Sequence, residues 1–129
     1  MQERRRAPRK SLMAYTQVFD LYGGILLGYL GDLNGIGAMV IGEKSIPEGT
    51  KITLAIELPE LEGVNATRMV LPARVAWSEP DISPSFFNVG FEFLEVKSDQ
   101  KDIIEAIMKR YEFQRTMPTY QIKPSPNQR

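Results

Sequence analysis

The sequence predicts a mostly β fold, a small six-stranded antiparallel β-barrel with a C-terminal α-helix, and three observations carry that expectation. Apolar and polar residues alternate at period two over 51–58, 68–77 and 87–93; turn-forming residues separate these runs; and helical periodicity is confined to the stretch after residue 98. Six strands in about 80 residues, with no helix between them, must deal with their exposed edges, and closure into a barrel does so. With 129 residues, 43% of them hydrophobic, the chain can bury one core and is too short for two ordinary domains.

Each element has its own justification. Residues 11–19 and 24–33 are rich in β-branched, aromatic and aliphatic types, and Asp20-Leu21-Tyr22-Gly23-Gly24 supplies turn chemistry between them, so a hairpin is expected. After Asn34-Gly35, residues 38–41 form a short third strand, ended by Gly42 and the Pro47-Glu48-Gly49 turn. In the fourth strand Ile52, Leu54, Ile56 and Leu58 point to the core. Residues 59–67 read as a polar loop. In the fifth strand Met69, Leu71, Ala73, Val75 and Trp77 share the inner face, which places Trp77 in the core. Pro72 lacks an N–H, so this strand is expected at an edge or to carry a bulge there. Residues 78–85 hold Pro80 and Pro84 and read as a loop, with Ser78, Glu79 and Asp81 ordinary polar residues in it; Phe87, Val89, Phe91 and Phe93 then give the sixth strand.

Asp99 is expected to cap the helix, with Asp102 three residues on, both favoured by the helix dipole. Ile103, Ile104, Ile107, Met108 and Tyr111 make its apolar stripe, which is expected to cover one end of the barrel. Residues 116–129 contain three prolines and little apolar periodicity and read as a flexible tail. The organisation is thus a flexible Arg-rich segment over 1–10, a barrel with its helix over 11–115, and the tail.

Composition narrows the chemistry. The formal net charge is zero, so attraction for a polyanion must come from local charge placement. Absence of cysteine removes disulfides, thiolate nucleophiles and sulfur-based zinc sites, and absence of histidine removes the usual general base and commonest transition-metal ligand. We assign no catalytic residue, metal or cofactor, and read a binding module, not an enzyme. No apolar run follows the basic N-terminal residues, and the longest mostly apolar stretch, 25–30, falls far short of the ~20 residues of a membrane span; a cytoplasmic protein is expected.

Two segments flank the first hairpin. Arg4-Arg5-Arg6-Ala7-Pro8-Arg9-Lys10 gathers five of the sixteen basic residues, and Pro8 disfavours helix at Ala7. An extended run of this kind is expected to be mobile when empty and ordered on an anion, because the guanidinium fork donates in parallel to phosphate oxygens or to O6 and N7 of guanine. Taken alone, such a run is usually a solvated tail. The other segment is Asp32-Leu33-Asn34-Gly35-Ile36-Gly37. Asp32 can accept hydrogen bonds from a purine's N–H donors, Asn34 can accept or donate beside it, and Gly35 and Gly37 let the backbone turn and a ligand come close. Alone, that too is usually only a turn.

Together the two segments resemble the signature of PilZ domains, an RxxxR element, here Arg5 to Arg9, followed after one hairpin by D/N-x-S-x-x-G, here Asp32 to Gly37. Ala73-Arg74-Val75-Ala76-Trp77 and Asn88-Val89-Gly90-Phe91-Glu92-Phe93 are similar to the family's later strands, so the resemblance covers roughly residues 4 to 113. It implies a split barrel with a closing helix and a receptor for the bacterial second messenger cyclic di-GMP, in motility, biofilm or exopolysaccharide pathways. By resemblance Arg5 and Arg9 would hold the phosphates and guanine Hoogsteen edges, with Arg6 auxiliary. Asp32 would read a guanine edge, Asn34 would stand where the family has serine, and Gly37 would keep the turn open. Ile36 departs from the glycine often found at its position.

Ordering about six residues of the arginine segment costs on the order of 1–2 kcal/mol each, and each charge-assisted hydrogen bond returns roughly 1.5–3 kcal/mol. Several contacts must form together, which suits a switch that creates a surface for a protein partner. The departures at Asn34 and Ile36 motivate the alternative, a PilZ-like adaptor that binds protein without nucleotide. A single-stranded nucleic-acid binder is a third class; zero net charge and no evident aromatic platform speak against it.

Overall fold

The computed structural model of the protein describes residues 10–115. Of the segments expected to be flexible, 1–10 and 116–129, all but Lys10 lie outside the described residues. Eight strands and one helix run in the order β1 (Ser11–Met13), β2 (Gln17–Asp20), β3 (Ile25–Leu33), β4 (Gly37–Gly42), β5 (Lys51–Glu57), β6 (Arg68–Pro80), β7 (Phe87–Phe93), α1 (Ser98–Arg110) and β8 (Tyr111–Phe113). Six of the strands close an antiparallel barrel in the order β2-β3-β4-β7-β6-β5.

The barrel interior is filled by the inward face of each strand. Val18, Leu30, Val40, Leu54, Ile56, Leu71, Val75 and Val89 are essentially solvent-free and form one cluster. Period-two alternation delivers these side chains to one side, and burying each contributes about 1.5–3 kcal/mol relative to exposure. Ile104 and Ile107 of α1 join the same cluster, so the helix plugs the barrel as its stripe predicts. Met108, from the same stripe, stays partly exposed, and Tyr111 begins β8 instead of ending the helix.

Four local expectations are corrected. The first predicted strand is split, because Tyr15 sits at φ 60° and breaks the extended backbone. The piece before the break, β1, leaves the barrel and pairs in parallel with β8, Ser11 opposite Tyr111 and Met13 opposite Phe113. Tyr15 packs edge-on against Tyr29 with ring centroids 5.8 Å apart, and Thr16 accepts the Leu30 N–H at 2.8 Å.

Pro72 occupies neither an edge strand nor a bulge. β6 lies between β5 and β7, but its pairing with β7 starts at Ala73 opposite Phe93, and the Pro72 carbonyl accepts from Leu94, one residue past β7. Since N and O of a residue in an antiparallel ladder face the same side, the missing N–H falls beyond the ladder and costs it no bond.

β6 also continues through Ser78, Glu79 and Pro80, paired with Val89, Asn88 and Phe87, so the expected loop begins only at Asp81. At the helix start the cap is Lys97, not Asp99. The Gln100 side chain accepts the Lys97 N–H at 3.0 Å, while its amide donates to the Val70 carbonyl at 2.8 Å and ties α1 to β6. Asp99 remains in the first turn, where the helix dipole favours a carboxylate.

Candidate ligand site

The outer face of β4 and β7 carries a concavity of about 470 Å³, and two irregularities in the neighbouring strands determine what lines it. On β3, strict alternation from buried Leu30 would send Asp32 into the core. The register against β4 slips between Leu30 and Asp32, Gly31 being the extra residue, so that Leu33 is buried instead and Asp32 turns outward. An added Cβ at Gly31 would meet the Met39 methyl and the Ile41 side chain, so a larger residue at the slip would require these flexible side chains to shift.

The same event occurs on β6. Its register against β7 slips between Val75 and Trp77, with Ala76 as the extra residue, and this corrects the placement of Trp77 in the core. The indole lies outside the barrel across Gly90, where a Cβ would collide with the ring, and is 37% exposed. Asp32 and Trp77 therefore line one cavity with Asn34, Gly37, Met39 and Glu92. Alternation alone misassigns Trp77. The available signal was Gly90, a strand glycine, which often marks close approach of another group.

The β3–β4 turn is built by Asn34. Its side-chain oxygen accepts the N–H groups of Ile36 at 2.9 Å and Gly37 at 3.0 Å, and its own N–H donates to the Gly37 carbonyl at 3.0 Å. A serine hydroxyl makes the same kind of turn bond more weakly. Asn34 thus commits its acceptor to the loop and keeps its amide N–H groups as donors. Gly37 is required by packing against β7, because a Cβ there would strike the Phe91 carbonyl. Ile36 is 76% exposed at the mouth of the cavity.

Asp32 is half-buried, and its Oδ1 accepts the Leu33 N–H at 3.0 Å and an Nη2 hydrogen of Arg115 at 3.3 Å. Glu92, which also lines the cavity, pairs with Arg74 at 2.8 Å. Asp32 also borders a second concavity, of about 460 Å³, lined by Lys10, Met108, Tyr111, Phe113 and Arg115. Arg5, Arg6 and Arg9 lie outside the described residues; Lys10, the first described, lines a surface shared with Asp32.

Among the described residues no helix is long and apolar enough to cross a membrane, and no group of three or more acidic side chains is placed to hold a metal ion. No curated protein and no solved structure matches the chain. The PilZ domain family does match it, over residues 3–110, from the arginine run to the end of α1. With a closed six-strand antiparallel barrel, a closing helix and a match over most of its length, this chain belongs to the PilZ domain family, whose members are generally receptors for cyclic di-GMP.

Proposed function

We propose that this chain is a cyclic di-GMP receptor module in which the arginine segment closes over a ligand held on the outer face of β4 and β7. One observation carries the reading: two independent register slips turn a carboxylate and an indole outward onto the same cavity. Slips of this kind interrupt a ladder and re-aim a side chain, and they are over-represented beside functional sites.

The chemistry of the cavity suits a purine dinucleotide. Asp32 offers carboxylate oxygens to the N–H donors of a guanine edge, and Trp77 offers an aromatic face for a base, a contact worth about 1–3 kcal/mol. The Asn34 amide donates at the rim, and Gly37 keeps β4 against β7 so that the floor stays shallow. Arg5 and Arg9, with Arg6 auxiliary, supply the cations for the phosphates. Support for this comes from Lys10, the residue that follows them, which lines one concavity with Asp32. Ligand capture then orders this segment and presents a new surface to a protein partner.

Isothermal titration of the purified chain with cyclic di-GMP tests the proposal. Saturable heat and a raised melting temperature are expected. No heat and no thermal shift at high micromolar ligand would instead favour the adaptor reading, which draws on two features: the Asn34 acceptor is spent on the turn, and the apolar Ile36 stands exposed at the mouth. A single-stranded nucleic-acid binder is less well matched, since Trp77 is the one aromatic platform offered by the cavity besides Phe91 of the core, and such binders use successive platforms along a basic groove.

A further inference from the structure

We infer that Arg115 sets the affinity of the ligand site by competing for the carboxylate that reads guanine. This rests on the receptor reading above and adds a residue which the family signature does not contain. The Arg115 guanidinium donates to Oδ1 of Asp32 at 3.3 Å, and the same oxygen already accepts the Leu33 N–H. To receive two adjacent N–H donors from a guanine edge a carboxylate needs both oxygens, so the Arg115 contact must open when ligand arrives.

The topology makes this competition specific. β8 carries Arg115 two residues beyond Phe113, and β8 is held in place by its parallel ladder with β1, the strand that continues from the arginine segment. Lys10, Asp32, Glu112 and Arg115 line one concavity, so cations from before β1 and after β8 share it with two carboxylates, and of these Asp32 is the one that Arg115 engages. In the free protein Arg115 neutralises Asp32; in the bound protein the ligand replaces it.

The pair is open to solvent, with side-chain exposures of 66% for Arg115 and 35% for Asp32. Exposed pairs of this type are weak, so the competition is a modest one, a factor of about two to five in the dissociation constant. Its exposure also makes it sensitive to screening, and the effect should fade when the Debye length falls to about 3 Å at 1 M salt.

The experiment is calorimetric titration of the full chain and its Arg115→Ala and Arg115→Lys variants with cyclic di-GMP, at about 0.15 M and about 1 M salt. Arg115→Ala is expected to bind about two- to five-fold more tightly than the parent at the lower salt, with the gain lost at the higher. Arg115→Lys, which keeps the charge, should stay close to the parent. Parent binding combined with equal or weaker binding by Arg115→Ala would overturn the competition alone, and in the weaker case would make Arg115 a ligand contact. Absence of binding by all three would overturn the receptor reading and this inference with it.

Discussion

Asp32→Ala separates the two jobs of one side chain, and the structure sets the size of each. Folding loses the hydrogen bond to the Leu33 N–H at 3.0 Å and the solvent-exposed pair with Arg115. The first is worth about 0.5–1.5 kcal/mol, and the second no more than about 1 kcal/mol after screening. Since Asp32 faces outward at the register slip and packs in no apolar cluster, the total should be on the order of 1–2 kcal/mol, a fall of several degrees in melting temperature. Ligand binding loses more. Two charge-assisted hydrogen bonds at roughly 1.5–3 kcal/mol each amount to about 3–6 kcal/mol, partly offset because the Arg115 pair no longer has to open. The dissociation constant should rise by at least about a hundred-fold.

Asp32→Asn sharpens this test, because the amide oxygen keeps the Leu33 bond while the charge and the second acceptor are lost. Its stability should sit near that of the parent and its affinity near that of Asp32→Ala. Calorimetric titration with cyclic di-GMP and thermal melts on the same samples read both quantities. If Asp32→Ala stayed folded and bound within about three-fold of the parent, Asp32 would not be the reader. If it unfolded while the residual folded fraction bound normally, Asp32 would be a former of the β3–β4 turn and nothing more.

Trp77 is the only tryptophan of the chain, so its fluorescence reports on the site directly. Saturating ligand should change its emission, and Trp77→Ala should weaken binding by about 1–3 kcal/mol, or roughly five- to 150-fold, as measured by calorimetry; unchanged emission at saturation would remove the indole from the site. For Gly37→Ala the added methyl meets the Phe91 carbonyl, which is backbone and cannot swing away. A cost of about 1–3 kcal/mol is expected in chemical denaturation, and a variant as stable as the parent would refute the close approach of β4 to β7.

Much of the barrel was legible because its inner face largely follows period two, although Ala55, expected on the wet face of β5, is buried as well. Leu54 and Ile56 on β5, Met69 to Val75 on β6, and Val89, Phe91 and Phe93 on β7 all fall where period two puts them. The helix stripe likewise marks the contact of Ile104 and Ile107 with the core. What escaped was local interruption. A single extra residue leaves no mark on composition, so Trp77 reads as one more inward residue until the slip at Ala76 is seen. Asp32 reached the right side for a reason the pattern did not contain, the slip at Gly31. The β1–β8 ladder was illegible in principle: strands of three residues, joined in parallel across nearly the whole chain, have too little sequence to carry a periodic signal. Recognition of the arginine run and the Asp32–Gly37 turn as partners came from their order around one hairpin, and the match over residues 3–110 agrees with it.

Pairing of β1 with β8 has a practical consequence for anyone handling the molecule. Ser11 lies beside Tyr111, so the chain leaves the barrel at both ends through one corner, next to Asp32. A charged linker joined just before β1 or just after β8 would therefore start beside Asp32, and on the receptor reading it would alter the apparent affinity. Measurements on tagged protein should be repeated after cleavage, while a pair of dyes placed on β1 and β8 would start close together and provide a sensitive ruler for their separation.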